Sequence, residues 1–170
     1  YSSRRQRQMC IRDRYINNKR ELPWRENIHP YRVWISEIIL QQTRVVQGEK
    51  YFNNFIKKFP SLESLSSADE SEVIKVWKGL GYYNRAINIH KTSKIIMNTL
   101  NGKFPNTYNE LIKLNGIGDY TASAISSICF NEYNPVVDGN VLRLLSRYYG
   151  LKTPIAVSYT HLRAHETSID

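Results

Sequence analysis

The chain has 170 residues, a formal net charge of +9 and 41% hydrophobic residues, which suits one domain with a proper core or most of a larger domain. Two cysteines are too few for a disulfide framework or a cysteine metal site, and we find no signal peptide or transmembrane run, so we expect a cytoplasmic protein without a membrane partner. The basic balance suits a polyanionic partner, although many basic surfaces are simply solvated.

Both ends of the chain look foreign to the rest. Residues 1–14 and 157–170 resemble translated sequencing-adapter sequence, and neither has a clear apolar period, so we exclude them from reasoning about the fold. The alternatives are a basic arm that binds nucleic acid and a frayed tail. The first segment holds five Arg and one Asp, and the second holds one Arg and two acidic residues, so residues 15–156 keep a net charge of +6.

The elements predicted within residues 15–156 are all helices, joined by connections rich in Pro and Gly. The first predicted helices cover residues 31–46, 51–59 (ended by Pro60), 69–80 and 86–100. The later ones cover residues 107–114, 119–128 (with a start at 119 or 120) and 141–149. The fold class is therefore all-α.

Some local features accompany these helices. Asp69 and Thr107 each stand three residues before a glutamate, a spacing typical of helix N-terminal caps. The aromatic residues before Pro60 are expected in the core. His90 and Lys94 are expected to be solvated rather than catalytic.

Glu37 lies beside an apolar stripe on the first predicted helix. Trp34 and Ile38 flank it, and a partly desolvated carboxyl group has a raised pKa and can act as a general acid. The alternative is a solvated surface glutamate that pairs with Arg44 or Lys50.

Residues 79–86 read GLGYYNRA. Two adjacent tyrosines cannot both face the core from one helix. One of Tyr82 and Tyr83 is therefore available, either to stack on bases or to pack at the rim.

Residues 114–125, LNGIGDYTASAI, predict a glycine turn between two helices. Gly116, Ile117 and Gly118 precede the second helix, whose N-terminus exposes backbone N–H groups. Because the glycines have no Cβ, a phosphate can approach these donors closely. The alternative is an ordinary helix C-cap and tight turn.

Asp138 stands just before the last predicted helix, in the stretch VDGN. The simple interpretation is an N-cap aspartate. A carboxylate held by cap hydrogen bonds stays ionised, which also suits it to stabilise a positive charge, so the two roles are compatible.

These motifs, in this order, resemble the helix-hairpin-helix DNA glycosylase superfamily that includes endonuclease III, and most closely the adenine DNA glycosylases of the MutY family. The resemblance covers residues 15–149 and is carried by 34–43 (WISEIILQQT), 79–86, 114–125 and 137–141. It implies the helix-hairpin-helix glycosylase fold, a monomer, and excision of adenine mispaired with 8-oxoguanine or guanine in double-stranded DNA.

The resemblance also implies residue roles. Glu37 matches the catalytic acid, Asp138 matches the carboxylate that stabilises the sugar cation, and Tyr120 and Asn140 are expected beside it. The matching DNA-binding residues are Gln42, Thr43, Leu80, Tyr82, Gly116, Ile117, Gly118 and Thr121. Two other functions stay open: an endonuclease III-like enzyme that also nicks DNA through a lysine at the position of Tyr120, and a helix-hairpin-helix module that only binds DNA.

Full-length members of the family continue into helices with four cysteines that hold a 4Fe-4S cluster, and then into a domain that helps recognise 8-oxoguanine. None of those cysteines is present in these 170 residues. We therefore expect a fragment of the catalytic domain of a bacterial protein.

We predict that the two end segments are foreign, because they lack periodicity and because the resemblance stops near Tyr15 and just after Tyr149. Resequencing the source locus measures this directly. We expect neither segment in the natural reading frame, and recovery of both as continuous coding sequence would contradict the prediction.

Overall fold

The structure, a computed structural model, describes residues 12–150, and these residues form helices with no strand among them. This confirms the all-α prediction. The helices are α1 (12–18), α2 (Pro23–Glu26), α3 (Pro30–Leu40), α4 (Val45–Lys58), α5 (Leu62–Ser66), α6 (Glu70–Trp77), α7 (Asn84–Thr99), α8 (Tyr108–Leu111), α9 (Asp119–Phe130) and α10 (Gly139–Tyr149). The predicted foreign segments lie outside the described residues, apart from residues 12–14 in α1. Among the described helices, none is long and apolar enough to cross a membrane.

The chain divides into two compact units at residue 104. The N-terminal unit comprises α1 to α7, and the C-terminal unit comprises α8 to α10. Each has buried apolar residues of its own.

Aromatic side chains fill the core of the N-terminal unit, as expected for those before Pro60. Phe55 packs edge-on against Trp77, with ring centroids 6.0 Å apart, and lies 5.2 Å from the Phe59 ring. The buried hydroxyl of Tyr31 donates to the Phe59 carbonyl at 2.7 Å, and burial raises the pKa of Tyr31. Burying one such ring stabilises the fold by about 2–3 kcal/mol.

The single helix predicted over residues 31–46 is wrong, because the structure has two helices there. α3 ends at Leu40 and α4 begins at Val45. Gln42, between them, has a left-handed φ of 57°. The Ile38 and Gln41 carbonyls would accept from the next turn if the helix continued, but here they accept from the side chain of Arg85 at 2.9 and 2.6 Å. A distant residue therefore helps to end this helix.

The prediction that His90 is solvated is also wrong. Its side chain is 2% exposed on α7. Its Nε2 lies 2.9 Å from the Ala68 carbonyl, which can only accept, so this nitrogen carries the proton. His90 thus ties α7 to the connection between α5 and α6, whereas Lys94 is exposed as predicted.

The predicted caps form only in part. Asp69 and Thr107 occupy N-cap positions, but neither side chain makes a cap hydrogen bond. At α8, the first amide donates instead to the Glu132 carboxylate at 2.7 Å. A capping box forms where none was predicted, between Ser61 and Ser64 at the start of α5.

In the C-terminal unit, α8 and α9 pack together around Leu111 and Ile125, which are fully buried. α8 ends at Leu111, earlier than predicted, so Leu114 lies in the following turn. α9 begins at Asp119 as predicted. α10 begins at Gly139, two residues before the predicted start, and ends at Tyr149, where the C-cap Gly150 has a φ of 66° that favours glycine.

We predict that His90→Ala lowers the free energy of unfolding by about 2–4 kcal/mol, because it removes a buried hydrogen bond and leaves a cavity. Lys94→Ala is the matched control, because Lys94 is exposed one turn further along α7. It should change the free energy of unfolding little. Urea titration measures both, and equal effects would contradict the structural role of His90.

Candidate catalytic carboxylates and nucleic-acid interface

Glu37 lies in the third turn of α3, between the buried residues Ser36 and Ile38, and is itself half-buried. This position fits the partly desolvated carboxyl group expected from the apolar stripe better than a fully solvated surface glutamate. α3 also carries Trp34, which is fully buried against Phe104 with ring centroids 5.6 Å apart. Glu37 therefore lies on a helix that is held in place by the packing of its buried side chains.

The residues that follow α3 form an exposed turn. Gln42 is exposed with a φ of 57°, and Thr43 is half-buried. The Thr43 amide closes the turn by donating to the Leu40 carbonyl at 3.3 Å. The turn therefore presents the Gln42 side chain to solvent on a backbone that few non-glycine residues adopt.

A second turn follows α6 and carries the two tyrosines. Gly79 has a φ of 99°, and a Cβ there would collide with the Tyr51 hydroxyl, so this position requires glycine. The Trp77 indole donates to the Gly81 carbonyl at 3.1 Å. Tyr82 is 62% exposed with a φ of 47°, and Tyr83 is exposed as well, so both rings are accessible rather than one.

Arg85 joins these two turns, and the sequence assigned it no role. Its Nη1 donates to Ile38 and Gln41, and its Nη2 donates to the Leu80 and Gly81 carbonyls, each at 3.4 Å. Burial lowers the pKa of Arg85. The Arg85 guanidinium therefore links the Gln41 carbonyl, next to Gln42 and Thr43 in sequence, to the turn that carries Leu80 and Tyr82.

Two aromatic rings complete the surroundings of Arg85. Its guanidinium carbon lies 5.4 Å from the Trp77 ring centroid and 5.5 Å from that of Tyr82. The contacts link the exposed Tyr82 to the buried Trp77. An arginine shortly after two tyrosines is a weak signal in sequence, because its partners here are backbone carbonyls.

The predicted glycine turn is present in the C-terminal unit. Gly116 has a φ of 74°, and Gly118 is the N-cap of α9. A Cβ added at Gly118 would meet no atom within 4 Å, so the space in front of this residue is open. Ile117 is buried and its amide donates to the Leu114 carbonyl at 3.1 Å. The amides of the first turn of α9 are therefore the better candidates to bind an anion.

Thr121 is 1% exposed. Its hydroxyl is thus inside the C-terminal unit, and the residue presents almost no surface to a DNA partner. Tyr120, by contrast, is 36% exposed at the second position of α9.

Tyr108 and Asp119 form a polar pair beside the same helix start. The Tyr108 hydroxyl donates to Asp119 Oδ1 at 2.6 Å, and this hydrogen bond is the main reason that the pKa of Tyr108 is raised. The Asp119 carboxylate is thereby occupied by a tyrosine instead of its own helix amides.

Asp138 is the N-cap of α10, as the simple interpretation predicted. Its Oδ1 accepts from the amides of Asn140 and Val141 at 3.0 and 2.7 Å, and its Oδ2 accepts from the Asn140 side chain at 2.9 Å. Asn140 therefore orients both carboxylate oxygens.

The residues present do not fit an iron-sulfur cluster. The chain has two cysteines, and four thiolates hold such a cluster. Within residues 12–150, no group of three or more His, Cys, Asp or Glu side chains could hold a metal ion.

Comparison with known proteins gives consistent matches. Residues 35–165 match the family model for HhH-GPD superfamily base excision DNA repair proteins. The chain is 46% identical over 144 residues to the adenine DNA glycosylase of Buchnera aphidicola subsp. Schizaphis graminum, covering 85% of the chain and 42% of that protein. It is 50% identical over 133 residues to that of Buchnera aphidicola subsp. Baizongia pistaciae, covering 78% of the chain and 38% of that protein.

Among solved structures, a thermostable thymine-DNA glycosylase superposes with a TM-score of 0.77 at 26% identity, covering 88% of this chain and 72% of that one.

The chain spans about two fifths of the length of the two Buchnera relatives. The family match includes residues 157–165, part of the segment predicted to be foreign, so that prediction awaits resequencing.

Proposed function

Because the chain belongs to the HhH-GPD superfamily of base excision DNA repair proteins, we propose that its protein is a glycosylase that removes adenine mispaired with 8-oxoguanine or guanine in double-stranded DNA. The observation that carries the proposal is the similarity to adenine DNA glycosylases over most of the chain. The pair of carboxylates and the exposed polar turns supply the groups that this reaction needs.

Hydrolysis of the N-glycosidic bond needs an acid, because adenine is a poor leaving group. Glu37 is the proposed acid, and it protonates the base, most usefully at N7, as the bond breaks. Its half-buried position on α3 suits a carboxyl group that delivers a proton.

The sugar gains positive charge as adenine leaves, and Asp138 is the proposed counter-charge. The hydrogen bonds from Asn140 and Val141 fix the direction of its oxygens, so the carboxylate does not need to reorganise during the reaction. A proton donor paired with an anionic carboxylate is the division of labour in two-carboxylate glycosidases.

The acid cannot reach a base inside the stack, so the adenine nucleotide must flip out of the duplex. The exposed Tyr82 and Gln42 are proposed to enter the gap, with Thr43 and Leu80 beside them. In the C-terminal unit, the first amides of α9 after Gly118 are proposed to bind a backbone phosphate, since the open space there admits one.

The test is Glu37→Gln in the full-length protein. We expect the rate of adenine excision to fall by about 10²–10⁴-fold, since the amide keeps the shape without a transferable proton. DNA affinity should stay close to wild type, measured by titration of a labelled duplex that contains adenine opposite 8-oxoguanine.

Glu26→Gln is the matched control for this experiment, because Glu26 is exposed in the same unit. It should leave excision unchanged. A near-normal single-turnover rate for Glu37→Gln would show that Glu37 is a surface residue without a catalytic role.

We further predict a monofunctional enzyme, because Tyr120 stands where an endonuclease III-like lyase has its lysine. A phenol cannot form the imine that precedes β-elimination. Borohydride should trap little covalent complex with adenine-containing DNA, and strand breaks should appear only after alkali.

Tyr120→Lys sharpens this experiment, since a gain of trapping would show that position 120 faces the sugar. Lys113→Ala controls for the lysine that is closest to position 120 in sequence, which lies exposed in the turn after α8. Efficient trapping and nicking by the wild type at neutral pH would place the protein among the lyases instead.

A further inference from the structure

The four N–H groups on Nη1 and Nη2 of Arg85 point at four carbonyl groups from two turns. Ile38 and Gln41 belong to the end of α3, 47 and 44 residues away in sequence. Leu80 and Gly81 belong to the turn that carries the tyrosines. A guanidinium suits this task because its donors lie in one rigid plane, whereas an ammonium group cannot span two turns.

Arg85 lies near the N-terminus of its own helix, although cations are more stable near a helix C-terminus. It is the second residue of α7, where the helix dipole disfavours positive charge, but it reaches the C-terminus of α3, where the dipole favours it. α3 has no basic residue in its own last turn. Arg85 supplies the cation that α3 lacks.

The exposed residue of each turn has a left-handed backbone. Gln42 has a φ of 57° and Tyr82 a φ of 47°. This conformation is unfavourable for a residue that has a Cβ, so both turns need contacts that hold them. Arg85 provides such contacts to both at once, at the Gln41 carbonyl on one side and at the Gly81 carbonyl and Tyr82 ring on the other.

Arg85 is not placed to bind a phosphate itself. Its Nη donors face carbonyls, and its Nε is buried without a hydrogen-bond partner within the described residues. Any effect of Arg85 on DNA must therefore pass through the two turns.

We propose that Arg85 is a positioning residue that sets Gln42 and Tyr82 as one rigid pair for entry into the duplex beside the flipped base. This inference rests on the proposed function and names the part of the chain that couples the two inserted side chains. It is distinct from a general contribution to stability, because the hydrogen bonds of Arg85 all lie at these two turns.

The experiment compares Arg85→Lys with Arg32→Lys. Arg32 is a matched control in the same unit. It is half-buried, donates to the Pro23 carbonyl at 2.9 Å, lies 5.3 Å from the Phe52 ring centroid and has a buried Nε without a partner in the described part of the chain. It shares the chemistry of Arg85, but these contacts lie at Pro23 and Phe52 instead of at the two turns.

Four quantities are measured on the full-length proteins: thermal unfolding, fluorescence of 2-aminopurine placed beside the mispaired adenine, the single-turnover excision rate and amide hydrogen exchange. For Arg85→Lys we expect most of the unstacking signal to be lost and excision to slow by about 10²-fold, the size of effect that a 1 Å misplacement produces. Arg32→Lys should keep both at comparable thermal stability. Hydrogen exchange should rise in residues 40–44 and 80–84 of Arg85→Lys alone.

Trp77→Phe is a second variant, in case Arg85→Lys folds poorly. It keeps a ring near Arg85 but removes the bond from the indole to Gly81, so we expect a smaller loss of unstacking in the same direction. The proposal is overturned if Arg85→Lys unstacks and excises like the wild type, or if Arg32→Lys loses as much at equal stability. A wild type that unstacks the base without excising adenine overturns the proposed function alone, and one that does neither overturns both.

Discussion

The Arg85 guanidinium donates its hydrogen bonds to backbone carbonyls and not to a carboxylate. The arrangement of the two exposed turns of the N-terminal unit depends on these hydrogen bonds. Burying a cation costs several kcal/mol unless hydrogen bonds compensate it. Carbonyl dipoles provide those bonds without cancelling the positive charge, whereas an aspartate partner would neutralise it. The local charge therefore stays positive beside side chains that the proposed function brings to a polyanion.

The turn that carries Tyr82 is anchored to the aromatic core of the N-terminal unit. Trp77 packs edge-on against Phe55, and its indole binds the Gly81 carbonyl. Tyr82 thus rests, through Arg85, on a ring that is fully buried. Exposed loops are ordinarily mobile, and a scaffold that fixes them in advance reduces the entropy lost when they bind.

Most of the longer helices were predictable from periodicity, and Asp138 from its position before the last helix, because these features depend on residues near in sequence. The short helices α1, α2 and α5 were not predicted, since they are too short to show an apolar period. The break after Leu40 was not, since carbonyls at Ile38 and Gln41 find their partner 44 or more residues away. His90 was assigned to the surface for the same reason, as its partner is the backbone of Ala68. Side chains that bind distant backbone groups leave no pattern in the sequence, so Arg85 was missed although the motif that contains it was recognised.

Asp138 carries a fold role and a proposed chemical role in one side chain, and the two can be separated. Asparagine caps a helix about as well as aspartate does, since both offer an oxygen to the first amides. A chain with Asn at position 138 would therefore keep α10 in place while losing the charge. If Asp138 stabilises the sugar cation, this variant would bind a flipped nucleotide without cleaving it. The bound complex would then last long enough to be crystallised.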